Sequence, residues 1–335
     1  MPCPNPSQAF FRVLPSGKKE LKFSNVLGRL FRQGCKMPDD SMAVPCGQCM
    51  TCRLEKSRVT ALRCCHEARM FERNCFITLT YSSESLEKYC PLIEGGYSLV
   101  RKHVQDFMKR LRIAAKRKFG VDCVRAFGCG EYGEVCLSCR CSRKGKPPCV
   151  CKVYVPDLGR PHFHLCLFNF DFLDRVYEGG RNGFKYYSSE LLKDLWSFGF
   201  SSVCDFSFET AAYVARYCTK KVTGKKAEDH YRGRLPEFSV YPTRGGGLGK
   251  PWFDKYGKTD VIPTDSCIAR RVLCGVPEYY DRLRARFDPD GLAEAKRLRS
   301  ERAKKFVDDN TYARLLDKEK CMNAKINCLV RTLER

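Results

Sequence analysis

Apolar residues recur along this chain at two spacings, one typical of helices and one typical of strands. Across 98–119 they stand three or four residues apart, which is the period of a helix with one buried face. Ser98 is a residue type that caps helices, and Gly120 is a type that ends them. The segment therefore predicts one long amphipathic helix. Its apolar positions are Val100, Val104, Phe107 and Leu111.

Several other segments are short and rich in β-branched and aromatic residues, which favours strands, and others have the helical period. The predicted strands are 75–81, 121–132, 161–170 and 201–206. The further predicted helices are 53–73, 188–197 and 208–221. Residues 1–45 show neither period and are expected to be irregular, whereas the charged tail over 277–335 is helix-prone. The chain is therefore expected to mix helices and strands.

The charge of the chain points to a polyanionic partner. Its 335 residues include 61 Lys and Arg against 38 Asp and Glu, a formal charge of +23. Lys and Arg neutralise phosphates and release counterions, so nucleic acid is the expected partner; the alternative is a basic protein that its charge keeps soluble. A hydrophobic content of 43% excludes wholesale disorder. A membrane helix needs about 18 consecutive apolar residues, and no apolar stretch of this chain approaches that length. No signal peptide is recognisable either, so a cytoplasmic protein is expected.

The chain has 23 cysteines, an odd number, and no recognisable export signal, so metal-bound or inert thiols are expected instead of disulfides. One group, Cys46, Cys49 and Cys52, has the spacing C-x2-C-x2-C and supplies three of the four thiolates of a structural zinc site. The alternative is a set of buried free thiols. The fourth ligand stays open, and its candidates are Cys35, Cys64 and His66.

A second group of cysteines lies in 135–151, a segment so rich in Pro, Gly and Lys that it is expected to be an insertion in a hairpin. Its spacing, C-x2-C-x-C-x7-C-x-C, also brings several thiols within reach of one tetrahedral ion. A second structural zinc is therefore predicted here. The candidate thiols are Cys136, Cys139, Cys149 and Cys151, with Cys141 as a fifth.

The sequence His162-Phe163-His164 lies in a predicted strand, where alternate side chains share a face. Both imidazoles could then hold one divalent ion while Phe163 packs into the core; the alternative is a pair of partly exposed strand histidines. A third ligand is expected from Glu131, or alternatively Glu134, at the end of the preceding strand. A mixed carboxylate and imidazole set with open positions suits Mg²⁺ or Mn²⁺ that must also bind phosphate oxygens.

Tyr213 and Tyr217 stand four residues apart in a predicted helix, so their side chains share a face. A phenol, with an ordinary pKa of about 10, is a poor nucleophile until a metal, base or cation assists it. With such help a tyrosine can attack a DNA phosphate, and Lys220 or Lys221 could stabilise the attacking or departing oxygen. The alternative is an amphipathic helix whose tyrosines only pack.

The glycine-rich segment 241–251 resembles a phosphate-binding loop only superficially. Arg244 stands where such a loop would begin with glycine, and Pro251 stands where Ser or Thr would bind magnesium. A nucleoside triphosphatase site is therefore excluded. A flexible basic loop near DNA is the better interpretation.

These motifs occur in one order between residues 45 and 260. They are PCGQC followed by CR at 45–53, FITLTY at 76–81, GEYGE at 130–134, GRPHFH at 159–164 and AYVARY with KK at 212–221. In this order they resemble the replication initiation proteins of gokushoviruses, single-stranded-DNA phages of the microvirus family. That family belongs to the HUH endonucleases, which are named for two histidines around a hydrophobic residue.

The resemblance implies an α+β fold with a central antiparallel sheet flanked by helices, here with Cys-rich, zinc-binding-like additions and a helical C-terminal tail. The expected domains are an N-terminal Cys-rich basic segment, an endonuclease core with the insertion 135–158, a basic glycine-rich region and a charged helical tail. Their bounds are 1–74, 75–225, 226–276 and 277–335.

The resemblance also implies an activity, namely a strand-specific nick at the origin of the replicative-form DNA. It would proceed through a 5′-phosphotyrosine intermediate, leave a 3′-hydroxyl primer for rolling-circle replication and religate unit-length genomes. His162 and His164 would hold the metal, and Tyr213 and Tyr217 would be paired nucleophiles whose order stays open. The insertion 135–158 separates Glu131 from the histidines, which leaves the third ligand open.

The implied partners are the viral origin, as single strand and supercoiled duplex, and the helicase and DNA polymerase of the host. The implied location is the cytoplasm of a host bacterium, without a membrane. A competing hypothesis is a non-catalytic, zinc-dependent nucleic-acid-binding protein, which would bind DNA but form no covalent adduct. The side chains expected to contact DNA are Arg53, Lys56, Arg58, Arg160, Arg216, Lys221, Arg244 and Lys250.

Overall fold

The computed structural model divides into two compact units. The first comprises Met1–Lys56 and Gly275–Val330, and the second contains Ser57–Cys274. The residues that the structure describes are 3–15, 19–35, 38, 41–94, 96–133, 135–136, 154–155, 159–181, 183–222, 226–242 and 244–328.

The N-terminal part of the first unit is a small antiparallel sheet with strand order β2-β1-β3. Its elements are β1 (Ser7–Val13), β2 (Lys19–Phe23), α1 (Asn25–Arg32) and β3 (Ser41–Val44), followed by α2 (Met50–Ala68), which continues into the second unit. The expectation that residues 1–45 are irregular was therefore wrong. These strands pair through their backbones but leave large apolar side chains such as Phe11 and Phe23 exposed, so no alternating pattern marks them.

The second unit is built around a seven-stranded antiparallel sheet with strand order β11-β12-β13-β4-β10-β7-β14. The predicted antiparallel sheet flanked by helices is thereby confirmed. Its strands are β4 (Asn74–Tyr81), β7 (Arg125–Tyr132), β10 (Pro161–Phe168), β11 (Val176–Arg181), β12 (Phe184–Ser188), β13 (Gly199–Asp205) and β14 (Phe238–Val240). The remaining short strands form separate pairs: β5 (Leu92–Ile93) with β6 (Gly96–Tyr97), β8 (Val135–Cys136) with β9 (Tyr154–Val155), and β15 (Cys267–Ala269) with β16 (Val272–Cys274).

Helices line both faces of the sheet. Besides α2, the helices of this unit are α3 (Ser83–Tyr89), α4 (Arg101–Phe119), α5 (Glu190–Leu195), α6 (Phe208–Lys220), α7 (Lys226–Tyr231) and α8 (Lys250–Tyr256). On one face, Leu79, Phe163 and other strand residues pack with the apolar stripe of α4. On the other face, Phe76, Phe168 and their neighbours pack with α2 and α6. The strands between these layers are buried on both sides, as the fully buried β7 and β10 demonstrate.

The periodicity located the long helix well but misplaced its start. The helix α4 begins at Arg101, its N-cap residue is Val100, and Ser98 instead accepts a hydrogen bond from the backbone N–H of Leu235. Gly120 ends the helix with a φ of 67°, as predicted, because glycine tolerates this left-handed conformation.

The cysteine-rich insertion begins and ends as a hairpin. β8 pairs with β9 in antiparallel register, which agrees with the predicted hairpin. The second predicted zinc group falls outside the described residues, since only the backbone of Cys136 is described and the other candidate thiols are not. Those thiols are Cys139, Cys141, Cys149 and Cys151.

The C-terminal part of the first unit is helical, as the sequence predicts. Its helices are α9 (Glu278–Arg284), α10 (Pro289–Lys304) and α11 (Tyr312–Cys328). Within the part of the chain that the structure describes, no helix has both the length and the apolar character needed to cross a membrane.

Candidate active site

The sheet brings Glu131 next to the two histidines. β7 and β10 are antiparallel neighbours, and Glu131 lies directly opposite His162 in their register. His164, two residues further along β10, points to the same face. The insertion that separates Glu131 from the histidines in sequence leaves and returns between these two adjacent strands. Glu131 is therefore placed where the predicted third ligand would stand, whereas Glu134 lies outside the described residues.

Three buried ligand atoms meet at this point. The Oε1 atom of Glu131 lies 2.6 Å from Nε2 of His162 and 3.0 Å from Nε2 of His164. All three side chains are at most 6% exposed, and their ligand atoms lie within 4.8 Å of one another. Neighbouring ligand atoms that each stand about 2.1 Å from one ion are expected to lie about 3 Å apart. The two distances from Glu131 to the histidines are close to this value.

The other ring nitrogens of the histidines are also bonded. Nδ1 of His162 lies 3.0 Å from the carbonyl oxygen of Arg160, and Nδ1 of His164 lies 2.9 Å from Oγ1 of Thr78. A carbonyl can only accept, so Nδ1 of His162 carries the proton and donates it. Nε2 of a neutral His162 then presents a lone pair to the Glu131 carboxylate. Two lone pairs repel at 2.6 Å, and a cation bound by both atoms would relieve this repulsion.

The carboxylate of Glu131 is suited to hold such a cation. Burial opposes its ionisation, but attraction to His162 and His164 outweighs burial and lowers the pKa of Glu131 to about 2. Its second oxygen, Oε2, is buried and has no hydrogen-bond partner among the described residues. A buried anionic oxygen without a partner is costly. The residues therefore fit a divalent ion on the grounds of charge, donor type and unsatisfied bonding.

Tyr213 lies beside this group. It is placed by α6, whose N-terminus is closed by a capping box between Ser207 and Thr210. The Tyr213 hydroxyl is 3.5 Å from Nε2 of His164, and its ring meets the His164 ring edge-on at a centroid distance of 5.0 Å. The side chain is only 3% exposed. Tyr213 thus presents its hydroxyl to the face of the group where an ion would bind.

The neighbours of Tyr213 on α6 are partly described. Cζ of Arg216 lies 5.9 Å from the centre of the Tyr213 ring, so a positive charge accompanies the phenol. Tyr217 and Lys220 are helical in backbone, one and two turns after Tyr213, but their side chains lie outside the described residues. Lys221 is the C-cap residue of α6 and is exposed.

The remaining basic residues predicted to contact DNA differ in their surroundings. The guanidinium of Arg160 donates to the carbonyl oxygen of Tyr81 at 2.7 Å and to Oγ of Ser83 at 3.1 Å. Lys250 forms an ion pair with Asp254, one turn later in α8. On α2 the side chain of Lys56 is exposed, and Arg53 and Arg58 are half-buried. Arg244 is exposed in the glycine-rich segment.

The glycine-rich segment is anchored, so the expectation of a flexible loop was wrong. The buried side chains of Glu67 and Arg125 form an ion pair, and Arg125 also donates to the carbonyl oxygens of Arg244, Gly246 and Gly247. Glu67 Oε2 accepts from the backbone N–H of Gly249 at 2.6 Å. The backbone of this segment is therefore stabilised by the buried charges of Glu67 and Arg125, which the sequence pattern did not indicate.

The first cysteine group has a fourth member that sequence reasoning missed. Cys3 joins Cys46, Cys49 and Cys52, and their sulfur atoms all lie within 4.8 Å of one another. The three candidates for the fourth ligand lie elsewhere: Cys35 is exposed, Cys64 is buried against the central sheet, and the His66 ring stacks on Trp252. Cys3 is brought to the group by the pairing of β1 with β3, which the spacing of cysteines along the sequence does not reveal.

Known proteins with similar sequences are replication proteins of phages. A family model described as replication-associated protein ORF2/G2P matches residues 142–222, which include both histidines and Tyr213. Replication-associated protein VP4 of Bdellovibrio phage phiMH2K is 30% identical over 241 residues, which cover 72% of this chain and 67% of VP4. No solved structure matches the chain.

Two further relatives agree with this assignment. Replication-associated protein ORF2 of Spiroplasma virus 4 is 28% identical over 87% of this chain and 86% of its own length. Replication-associated protein ORF4 of Chlamydia phage 1 is 27% identical over 72% of this chain and 53% of its own length. The chain belongs to the family of phage replication-associated proteins, and the resemblance to gokushovirus replication proteins is confirmed.

Proposed function

We propose that this protein starts phage DNA replication by cutting one strand of the replicative-form origin, with Tyr213 as the attacking residue. The observation that supports this most directly is the 3.5 Å distance between the Tyr213 hydroxyl and Nε2 of His164. A tyrosine that serves only for packing would not need its hydroxyl beside a buried Glu–His–His group. The membership of the chain among phage replication-associated proteins makes origin DNA the fitting substrate.

Glu131, His162 and His164 would hold Mg²⁺ or Mn²⁺, which when bound would polarise the scissile phosphate and stabilise charge in the transition state. The chain's own contribution begins with the orientation of the imidazoles. The carbonyl of Arg160 and the hydroxyl of Thr78 bind Nδ1 of each ring, which keeps each Nε2 turned towards Glu131. The burial of all three side chains limits competition from water.

In the cutting step the phenolic oxygen of Tyr213 forms a bond to phosphorus as the bond from phosphorus to O3′ breaks. The phenol gives up its proton, and the departing O3′ takes up a proton to become a 3′-hydroxyl. One phosphate ester replaces another, so the energy of the cut bond is retained and the step can be reversed. The positive charge of Arg216 beside the ring stabilises the negative charge that develops on the phenolic oxygen.

Tyr217 is the proposed second nucleophile, which takes over when a unit-length genome is resealed. It follows Tyr213 by four residues on α6, so the two positions share a helix face. Lys220, with Lys221 after it, is proposed to stabilise an attacking or departing oxygen. The released 3′-hydroxyl would serve the host DNA polymerase as primer, and a host helicase would separate the strands.

Residues 75–225 are the proposed catalytic core, and basic side chains outside and inside it are proposed to bind the DNA backbone. A formal charge of +23 supplies the necessary attraction. Zinc is proposed only for the cysteine groups, since thiolates prefer softer ions than magnesium. The proposed DNA contacts are Arg53, Lys56, Arg58, Arg160, Arg216, Lys221, Arg244 and Lys250.

The proposal is tested with labelled single-stranded oligonucleotides that tile the genome encoding this chain. With Mn²⁺ the wild-type protein should form a covalent adduct that survives a denaturing gel and that EDTA prevents. Tyr213→Phe should lower the initial rate of adduct formation by at least about 100-fold, because phenylalanine lacks the attacking oxygen. Tyr177→Phe, at a 58% exposed tyrosine of β11, is the matched control and should react as the wild type does.

Mass spectrometry of the adduct peptide then identifies the attacking residue and the cut site together. Adduct formation by Tyr213→Phe at the wild-type rate would rule out Tyr213 as the first nucleophile. Tight origin binding without an adduct under any divalent ion would favour the non-catalytic nucleic-acid-binding protein instead.

A further inference from the structure

Four cysteines of the first unit converge although one of them is far away in sequence. β1 and β3 pair in antiparallel register with Ser7 opposite Val44. Cys3, just before β1, and Cys46, just after β3, therefore emerge at the same end of the small sheet. Cys49 and Cys52 follow at the start of α2. The folding of the strands, and not the spacing of the cysteines, completes the group.

The distances between the sulfur atoms fit a tetrahedral metal site. Sγ of Cys3 lies 3.7 Å from Sγ of Cys49, and all four sulfur atoms are within 4.8 Å of one another. Four thiolates about 2.3 Å from a zinc ion at tetrahedral angles stand about 3.8 Å apart. A disulfide would instead bring two sulfur atoms to about 2.05 Å. The observed 3.7 Å matches the metal site.

Backbone N–H groups point at three of the sulfur atoms. The N–H of Cys46 donates to Sγ of Cys3 at 3.4 Å, that of Cys49 to Sγ of Cys46 at 3.3 Å, and that of Cys52 to Sγ of Cys49 at 3.4 Å. Such donors favour a sulfur atom that carries negative charge. Gly47, with a φ of 73°, permits the turn between Cys46 and Cys49.

The segment around the group has little core of its own. Among the described residues between 3 and 56, the buried apolar side chains are few and small, namely Cys3, Pro4, Pro6 and Ala9. Small sheets that bury so little apolar surface are commonly stabilised by a metal or by disulfides. The exposed apolar side chains of this segment include Phe11, Val13, Phe23 and Val26.

From these observations we propose that Cys3, Cys46, Cys49 and Cys52 bind one structural zinc ion. Four thiolates select zinc over magnesium or manganese, so this site is chemically separate from the Glu131 group. The ion would join the chain before β1 to the first turn of α2. It would therefore hold the start of the helix that carries Arg53 and Lys56, two of the proposed DNA contacts.

The test is the zinc content of the purified full-length protein, measured by mass spectrometry of the metal for each variant. Cys3→Ser and Cys49→Ser should each contain one zinc equivalent less than the wild type. Cys35→Ser is the matched control, an exposed thiol of the same segment, and should keep the wild-type content. Because only the difference counts, zinc held elsewhere in the chain does not affect the result. A wild-type zinc content in Cys3→Ser would overturn the proposal.

A second measurement uses the unmutated protein, in case a variant does not fold. An alkylating reagent should label Cys35 at once but label the four clustered thiols only after a zinc chelator is added, as peptide mass spectrometry would reveal. Labelling of all four at the rate of Cys35 before chelation would contradict the proposal. So would a Cys3–Cys49 disulfide peptide from unreduced protein. Neither readout depends on DNA cleavage, so failure of the nickase proposal would leave this one standing.

Discussion

At the scale of single residues, the two histidines and Glu131 depend on each other. The His162 ring is oriented by a backbone carbonyl, which leaves its Nε2 lone pair facing a carboxylate oxygen at 2.6 Å. Glu131 also has a buried oxygen without a partner among the described residues. Each feature would be unfavourable alone, but one bound cation would satisfy both. The burial of the three side chains would therefore make the group dependent on such an ion.

Replacement of Glu131 by glutamine tests this dependence, since the shape is kept and the charge removed. Even residues outside the ligand set contribute about 10–100-fold to metal affinity, so loss of a charged ligand should weaken Mn²⁺ binding by at least about 100-fold. Titration calorimetry of the full-length protein measures this. Glu190→Gln, at an exposed glutamate in the first turn of α5, is the control. Equal affinity in Glu131→Gln and the wild type would exclude Glu131 as a ligand.

At the scale of elements, the central strands bring the residues of the candidate site together, and a buried ion pair holds the backbone of the neighbouring glycine-rich segment in place. β7 and β10 bring together residues that lie far apart in sequence, and α6 adds Tyr213 across the same sheet face. The ion pair between Glu67 on α2 and Arg125 at the start of β7 stabilises the backbone of the glycine-rich segment. Arg244, a proposed DNA contact, is thereby presented from an anchored backbone, which would lower the entropy lost on binding a phosphate.

Glu67→Gln should lower the free energy of unfolding by about 3–5 kcal/mol, because it leaves the Arg125 charge buried without its counter-charge. Urea denaturation followed by circular dichroism measures the loss. Glu72→Gln, at an exposed glutamate just after α2, should change stability by less than about 0.5 kcal/mol. If both variants unfold at the same urea concentration, the ion pair does not anchor the loop.

The helices and strands of this chain differ in how clearly the sequence marks them. The helices α4 and α6 were predicted to within a few residues because each buries a periodic apolar face. The strands β4 and β10 were predicted equally well because they are short and rich in β-branched and aromatic residues. The strands β1, β2 and β3 were missed because backbone pairing holds them with few buried side chains. The histidines and tyrosines stood out as motifs, but Cys3 and the Glu67–Arg125 pair could not, since only tertiary contacts give them a partner.

At the scale of the whole molecule, a charge of +23 implies that binding to DNA depends strongly on salt. Each phosphate contact releases counterions and adds to the slope of log affinity against log salt concentration. Removal of a side chain that only attracts DNA should change this slope without changing the rate of the proposed cleavage by Tyr213. Lys221, exposed at the end of α6, is a proposed contact of this kind.

Lys221→Ala should therefore weaken binding at low salt and reduce the magnitude of the salt slope by about 1. Fluorescence anisotropy with a labelled single strand, repeated across salt concentrations, measures both quantities. Lys193→Ala removes a lysine of α5 that is already paired with Glu190 and should leave the slope unchanged. An unchanged slope in Lys221→Ala would remove Lys221 from the set of DNA contacts.

Two backbone hydrogen bonds close the base of the hairpin between β7 and β10, one from the N–H of Gly133 to the carbonyl of Arg160 and one from the N–H of Gly159 to the carbonyl of Gly133. The register that places Glu131 opposite His162 is formed by β7 and β10 themselves, from Pro161 opposite Tyr132 to Phe168 opposite Arg125. We therefore expect that the number of residues between Gly133 and Gly159 can change while the distance between Glu131 and His162 across the sheet stays the same.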